Sequence, residues 1–313
     1  MEETRYNYLK SASEMLSTPI TEIPCLWKPF IPSQGIVGIT GSSDVGKSSF
    51  LRQLGIAVAT RQETFLEYPL NVRHGRVIYF STEDGETSTK VMLNKQIAGV
   101  AEVSQLDGLK YIFNHQEPFR VIKEQLEAEP TDLLIIDAFS DVFVSNPNSL
   151  TDTRAFLNKY CQLANQNDCA IIFLHHNGKR TELQGANKNN INGSQGFEAK
   201  VRLIMELQKL GDGNTRVLNF TKGNYLSDSI KKRPLQLNFN ENQQFSLITT
   251  SEASVASGSV LRLFPKNYKE EIVEKAKALR DSGMSLDKTL EELAKTQEGK
   301  LPSKGTLVNW LKK

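Results

Sequence analysis

The chain has few cysteines and histidines, and it lacks long apolar runs. Its three cysteines (Cys25, Cys161 and Cys169) do not have the paired spacing of a metal site, and they are typical of ordinary thiols in a reducing compartment. Four histidines without a neighbouring cysteine pair argue against a zinc centre. No run approaches the ~18 apolar residues of a membrane span, and the N-terminus lacks the pattern of a signal peptide. We therefore expect a cytoplasmic protein with no membrane partner.

A strong charge of either sign is also missing. The formal net charge of +2 is too small to predict a nucleic-acid partner by itself, so any basic surface must be local. Hydrophobic residues make up 39% of the chain and charged residues 24%, as in globular proteins. The 313 residues suffice for one large domain, or for a core domain with a small one.

What the chain does contain is a phosphate-binding loop. Two glycines, a lysine and a hydroxyl residue stand at the spacing of this motif, and the glycines let backbone N–H groups face a phosphate chain. Lys47 can reach the β- and γ-phosphates of ATP, and the Ser48 hydroxyl can hold Mg²⁺. The predicted cofactor-binding residues of the loop are Gly41, Ser42, Ser43, Asp44, Val45, Gly46, Lys47, Ser48 and Ser49.

The surrounding pattern predicts an α/β fold. A buried strand at 35–40 precedes the loop, and a helix at 49–60 follows it with its positive end towards the phosphates. Near-continuous apolar strands then alternate with helices, which is typical of a mostly parallel central sheet covered on both faces. The later predicted strands lie at 76–80, 111–113, 132–137, 170–174, 201–207, 217–221 and 235–239, and the last two are expected to be antiparallel.

Two carboxylates are candidate partners of the loop. Asp137 ends an apolar strand, a position that aims an acid at a metal ion from the carboxyl edge of a sheet. Its alternative role is to cap the next turn. Glu83 follows the strand after the loop helix and is the candidate base that orients the attacking water. Asp84 and Glu86 compete with it, and the alternative is a solvated acidic turn.

Two adjacent histidines follow the strand at 170–174. A polar residue at this place can sense the γ-phosphate, and a purely structural role is equally open for His175 and His176. We place His175 in the predicted cofactor-binding set.

Together these segments resemble the RecA-like ATPases, and among them the plasmid hexameric helicases of the RepA type. The resemblance extends from about Ile23 to Leu247. It rests on the loop and on the segments at 27–35, 79–86, 135–137, 173–176, 193–194 with Arg202, and 221–225.

The resemblance implies roles for two cations. Arg202 would be an arginine finger that reaches the ATP of a neighbouring subunit, and Lys222 would touch the same phosphates. A homo-oligomeric ring or filament is then required. This chain has Lys222-Gly223-Asn224 where many ring helicases have Lys-x-Arg, which weakens the assignment of Lys222.

A polar, asparagine-rich stretch at 177–193 exceeds the ~12–15 residues beyond which a loop without secondary structure is unusual. In the resembling family such a loop faces the channel of the ring and contacts single-stranded DNA. Lys179, Arg180 and Lys188 could then meet phosphates. The alternative is a surface loop without a partner.

A linker composition at 251–265 separates the predicted ATPase domain, 1–250, from a C-terminal domain, 266–313. This small all-α domain is predicted to have three helices, and it resembles the helix-turn-helix domains of recombinases and transposon proteins. The residues expected to face duplex DNA are Ser303, Lys304, Thr306 and Asn309. The alternative is a helical module for protein contacts or oligomerisation.

The sequence thus predicts a Mg²⁺-dependent, ATP-hydrolysing motor with a RecA-like core and a DNA-binding module. The leading hypothesis is a replicative helicase of a plasmid or mobile element. One alternative is a DNA-bound ATPase switch that recruits partners without unwinding. Another is a signalling ATPase without a DNA role.

Overall fold

The structure is a computed structural model. It describes residues 10–17, 19–113, 115–146, 149–177, 186–187, 194–211, 213–248, 268–281, 284–296 and 307. The chain divides into two compact units, one of residues 1–208 with 216–247 and one of residues 209–215 with 248–313.

The strands are short and mostly buried. In chain order they are β1 (Cys25–Trp27), β2 (Ile31–Pro32), β3 (Gly35–Gly41), β4 (Thr64–Phe65), β5 (Tyr68–Pro69), β6 (Val77–Ser81), β7 (Leu109–Phe113), β8 (Leu133–Asp137), β9 (Ala170–His176), β10 (Leu203–Lys209), β11 (Thr215–Gly223), β12 (Leu235–Phe239) and β13 (Phe245–Leu247).

The helices follow the strands in alternation through most of the first unit. They are α1 (Ala12–Leu16), α2 (Lys47–Ala59), α3 (Glu86–Ile97), α4 (Pro118–Ala128), α5 (Phe139–Val142), α6 (Leu150–Gln166), α7 (Ser194–Lys200), α8 (Asp228–Lys231), α9 (Tyr268–Asp281) and α10 (Leu286–Thr296).

Within the described residues, nine strands form one sheet in the order β13-β12-β11-β10-β3-β9-β8-β6-β7. From β10 to β7 the neighbouring strands are parallel, whereas β12 and β13 are antiparallel. This confirms the predicted α/β class with a mostly parallel sheet. The sequence pattern did not indicate β13, because its three residues are too few to show a period.

The sheet is covered on both faces, and alternate residues of each strand belong to different cores. Leu133 and Ile135 of β8 pack on the face that carries α2. Leu134 and Ile136 pack on the opposite face, against residues of α4, α6 and α7. The period of two therefore decides which side chains at the strand ends lie on the face of the phosphate-binding loop.

Trp27 anchors the N-terminal segment to the α2 face. Its side chain is fully buried, and its indole N–H donates to the Phe65 carbonyl at 2.9 Å. The ring lies 4.6 Å from that of Phe30, 5.2 Å from that of Phe65 and 6.1 Å from that of Phe50 in α2. This aromatic cluster holds the helix that follows the phosphate-binding loop.

The second unit contains α9 and α10. Ser285 precedes α10, and its hydroxyl accepts from the Lys288 N–H at 3.4 Å, which caps the helix. Ala276, Leu293 and Leu307 are buried together. The predicted linker at 251–265 and most of the third predicted helix lie outside the described residues.

No helix in the described part of the chain is long and apolar enough to cross a membrane.

The Trp27 cluster predicts a large effect on stability. Trp27→Ala should lower the free energy of unfolding by about 3–5 kcal/mol, because it removes a fully buried aromatic side chain and leaves a cavity. Urea unfolding measures this. Val144→Ala is the matched control, since Val144 is 97% exposed, and it should change stability by less than about 0.5 kcal/mol. Equal effects of the two changes would contradict the anchoring role.

Candidate nucleotide site

An open cleft of about 510 Å³ lies above the phosphate-binding loop, at the carboxyl edge of the parallel strands. This volume lies within the ~300–1,000 Å³ of small-molecule sites. Its lining is strongly polar and comes from segments distant in sequence. The lining residues are Ser43, Asp44, Gly46, Lys47, Ser48, Ser49, Arg52, Glu83, Asp84, Met92, His176, Phe239 and Gln243.

Lys47 is the buried cation of the cleft. Its side chain is 5% exposed, and its ammonium donates to the carbonyls of Gly41 at 3.1 Å and Ser42 at 2.7 Å. Burial lowers the pKa of Lys47, while the nearby carboxylates of Asp137, Glu83 and Asp44 oppose that shift. The loop thus curls around its own lysine, in the place where a phosphate chain would attract the same ammonium.

Both glycines of the loop are required by their surroundings. Gly41 has φ +151°, and a Cβ there would lie 2.3 Å from the Leu207 carbonyl oxygen. Gly46 has φ +96° at the N-cap of α2, and a Cβ there would lie 3.0 Å from the Phe245 ring. Only glycine gives the loop this left-handed turn beside packed neighbours.

Asp137 ends β8 on the α2 face, next to Ser48. Its side chain is 4% exposed, and Oδ2 accepts from the Tyr79 hydroxyl at 2.6 Å. Burial raises the pKa of Asp137, and the hydrogen bond from Tyr79 and the nearby Ser48 hydroxyl oppose the shift. Oδ1 is buried and has no hydrogen-bond partner among the described residues. A buried oxygen without a partner, on a carboxylate near the Ser48 hydroxyl, fits a divalent cation that prefers oxygen ligands.

The three carboxylates of the acidic turn after β6 have different surroundings. Glu83 Oε1 lies 3.0 Å from His176 Nε2, and both side chains line the cleft. Asp84 is instead directed to Arg52, whose guanidinium lies 3.8 Å from its carboxylate. Glu86 begins α3 and does not line the cleft. Glu83 is therefore the carboxylate of this turn with access to the cleft and no cation of α2 paired to it.

His175 and His176 lie on opposite faces of the sheet. The His175 ring is 6% exposed and packs 4.9 Å from the Phe139 ring and 5.1 Å from the Phe197 ring, in the core opposite α2. Burial lowers its pKa to about 4. His175 belongs to the predicted cofactor-binding set, but it does not line the cleft. His176 lines the cleft instead. The physical reason is the strand alternation, which directs successive side chains to different faces.

Arg202 and Lys222 lie at the other edge of the sheet. The Arg202 N–H donates to the Ile36 carbonyl at 3.0 Å, at the start of β3, and the Arg202 side chain is exposed. Five residues of strand, roughly 16 Å, separate Ile36 from Gly41. The Lys222 ammonium donates to the Glu198 carbonyl near the end of α7. Neither predicted cation lines the cleft of its own chain.

Two predicted sets lie outside the described residues. They are the loop residues Lys179, Arg180 and Lys188, and the C-terminal residues Ser303, Lys304, Thr306 and Asn309. Asn177, the first residue of the stretch at 177–193, donates through Nδ2 to the buried carboxylate of Glu206 at 2.9 Å.

Sequence reasoning missed two contributors to the cleft, namely Arg52 and the hairpin of β12 and β13, which lines one side of it. Arg52 is 2% exposed in α2 and donates to Gln96 Oε1 at 3.2 Å. Gln243, between β12 and β13, accepts from Ser49 Oγ at 3.3 Å. An arginine within the apolar run of α2 was a usable signal. The hairpin had none, because its residues meet the loop across almost 200 positions of sequence.

The matched family agrees with this geometry. The family model of the AAA domain, AAA_25, matches residues 2–182, more than half of the chain. The chain belongs to this family. It is accordingly a P-loop ATPase, and such ATPases generally use ATP and Mg²⁺.

Other comparisons are more distant. Among solved structures, that of the RadB recombinase aligns with a TM-score of 0.49 and 13% identity, over 69% of this chain and 91% of that one. No curated protein matches the chain.

The burial of His175 in the AAA domain predicts a pH dependence of stability. The pKa of its ring is lowered from 6.5 to about 4 on folding, so only the unfolded chain takes up this proton as the pH falls below about 6.5. The stability that depends on neutral His175 is full above that pH and is lost towards pH 4. Linkage gives a loss of about 2 kcal/mol between pH 7 and pH 5.

His175→Phe keeps an aromatic ring and removes the titration. Urea unfolding at pH 7 and pH 5 should therefore show a smaller loss in this variant than in the wild type. An identical loss in both proteins would show that His175 does not carry the effect.

Proposed function

We propose that the protein is a replicative DNA helicase of a plasmid or mobile element, of the RepA type, whose ATP sites form between two copies of the chain. The proposal is carried by one observation. The lysine and the candidate base line one cleft, and the buried carboxylate of Asp137 lies beside Ser48 of that lining, while Arg202 lies exposed at the opposite edge of the sheet. A chain with this arrangement completes a neighbour's site and not its own.

The residues in and beside the cleft have different roles in ATP binding and hydrolysis. Backbone N–H groups of the loop and the start of α2 bind the phosphate chain, and Lys47 leaves the carbonyls of Gly41 and Ser42 to meet the β- and γ-phosphates. Ser48 and Asp137 would hold Mg²⁺, which would supply positive charge next to the phosphates. Glu83 orients the attacking water, and its contact with His176 sets the direction of its carboxylate.

Among the described residues, the one arginine that lines the cleft is already engaged, which favours a further cation from a neighbouring copy. Lys47 and Arg52 are its lysine and arginine, and Arg52 is already engaged with Gln96 and Asp84. Charge that develops on the transferred phosphoryl group needs a further donor, and an arginine finger can contribute ~10³–10⁵ in rate. Arg202 supplies it from a second copy in a ring or filament, with Lys222 beside it.

The link to DNA rests on the chain between β9 and α7 and on the C-terminal unit. The cations Lys179, Arg180 and Lys188 are proposed to contact single-stranded DNA, because a polar loop with basic residues suits a phosphate backbone. The C-terminal helices are proposed to bind duplex DNA through Ser303, Lys304, Thr306 and Asn309. A cytoplasmic location follows from this role in replication.

Mixing two inactive variants tests the shared site. Lys47→Ala should abolish hydrolysis, and Arg202→Ala should lower the turnover at least ~10³-fold while ATP still binds. In a mixture, the intact loop of an Arg202→Ala chain can meet the arginine of a Lys47→Ala chain. ATPase activity should therefore reappear on mixing.

Arg120→Ala is the matched control, because Arg120 is an exposed arginine of α4 paired with Glu117 and Glu124. It should leave turnover unchanged. Full activity of Arg202→Ala alone, or two inactive variants that stay inactive when mixed, would rule out a finger in trans.

DNA assays separate the helicase from the other candidate functions. Single-stranded DNA should stimulate the ATPase, and a forked duplex should be unwound with ATP. Stimulation without strand displacement would indicate a DNA-bound switch. An ATPase rate that ignores DNA would indicate a signalling ATPase.

A further inference from the structure

Tyr79 is a buried phenol whose only described hydrogen bond goes to the proposed metal carboxylate. Its hydroxyl donates to Asp137 Oδ2 at 2.6 Å, and the side chain is 2% exposed. We propose that Tyr79 is a positioning residue for Mg²⁺, which holds Asp137 so that Oδ1 is presented to the ion. The inference rests on the proposed role of Asp137 as a metal ligand.

The strand register produces this contact. In the parallel pair of β6 and β8, Tyr79 lies opposite Ile135, so Asp137 is the next residue of β8 on the same face. That face is the one that carries α2, where Tyr79 and Ile135 belong to the same core. The phenol is therefore directed along the sheet to the end of β8, towards the phosphate-binding loop.

The phenol ring is itself held in place. It stacks on the Tyr111 ring, with centroids 5.1 Å apart, and Tyr111 stacks on Phe113 at 5.6 Å. From the other side, the Thr82 hydroxyl donates to the Asp137 carbonyl at 2.9 Å. A fixed donor and a fixed backbone leave the carboxylate one orientation.

The two oxygens of Asp137 then differ. Oδ2 is occupied by the phenol, whereas Oδ1 is buried without a hydrogen-bond partner among the described residues. A carboxylate that ligates a metal is commonly hydrogen-bonded from behind, and removal of such a partner weakens metal affinity by roughly 10–100-fold. Without the phenol, the carboxylate of Asp137 can rotate and Oδ2 also loses its donor.

The test measures how Mg²⁺ changes nucleotide binding, and it needs no turnover. A fluorescent, non-hydrolysable ATP analogue is titrated onto the full chain, in EDTA and over a series of Mg²⁺ concentrations. Tyr79→Phe keeps the stacked ring and removes the hydroxyl. It should bind the analogue like the wild type in EDTA, but need about tenfold more Mg²⁺ for half of the metal-dependent gain in affinity.

Tyr111→Phe is the matched control, because it removes a neighbouring phenol whose buried oxygen makes no hydrogen bond to Asp137. It should leave the Mg²⁺ dependence unchanged. An unchanged dependence in Tyr79→Phe overturns the inference, and so does an equal shift in both variants, which would indicate general packing.

Asp137→Asn distinguishes a failure of the positioning role of Tyr79 from a failure of the proposed metal role of Asp137. If this variant loses the Mg²⁺ effect while Tyr79→Phe keeps it, only the positioning role is wrong. If Asp137→Asn keeps the full Mg²⁺ effect, the metal role of Asp137 fails and the inference fails with it.

Discussion

The in-register parallel pairing of β3, β9, β8 and β6 is the constraint on which the rest of the structure depends. It brings the carboxyl ends of these strands to one edge, and side-chain alternation then chooses what each end contributes to the α2 face. Through this rule His176 lines the cleft and Asp137 lies beside Ser48, while His175 is directed into the opposite core. Which side chains are available at the site therefore depends on which residues of each buried strand face α2.

The same pairing separates the cleft from Arg202. Because β10 runs parallel to β3, its first residues lie at the amino edge, one strand length from the phosphate-binding loop. No rotation of the Arg202 side chain closes a separation of roughly 16 Å along the sheet. The phosphate-binding loop and Arg202 thus lie at two different edges of the sheet, which is why the proposed finger has to act on a neighbouring copy.

The sequence predicted those parts of the site that are local. The loop at 41–48, the strand that ends at Asp137 and the acidic turn with Glu83 each carry their signal within about ten residues. The face of the sheet on which each histidine lies was not predictable. A continuously apolar strand such as β9 has no alternation of polar and apolar residues that would indicate which residues point to which face. Arg52, Tyr79 and Gln243 were missed for a second reason, since their roles arise from packing between distant segments.

The central claim is that one ATP is held by two copies of the chain. The most direct measurement is an electron cryo-microscopy structure of the protein with Mg²⁺, a non-hydrolysable ATP analogue and single-stranded DNA. We predict an assembly in which the guanidinium of Arg202 lies within hydrogen-bond distance, about 3 Å, of the γ-phosphate bound by the neighbouring Lys47. An ordered assembly in which Arg202 faces solvent, or a nucleotide-bound protein that remains monomeric, would contradict the claim.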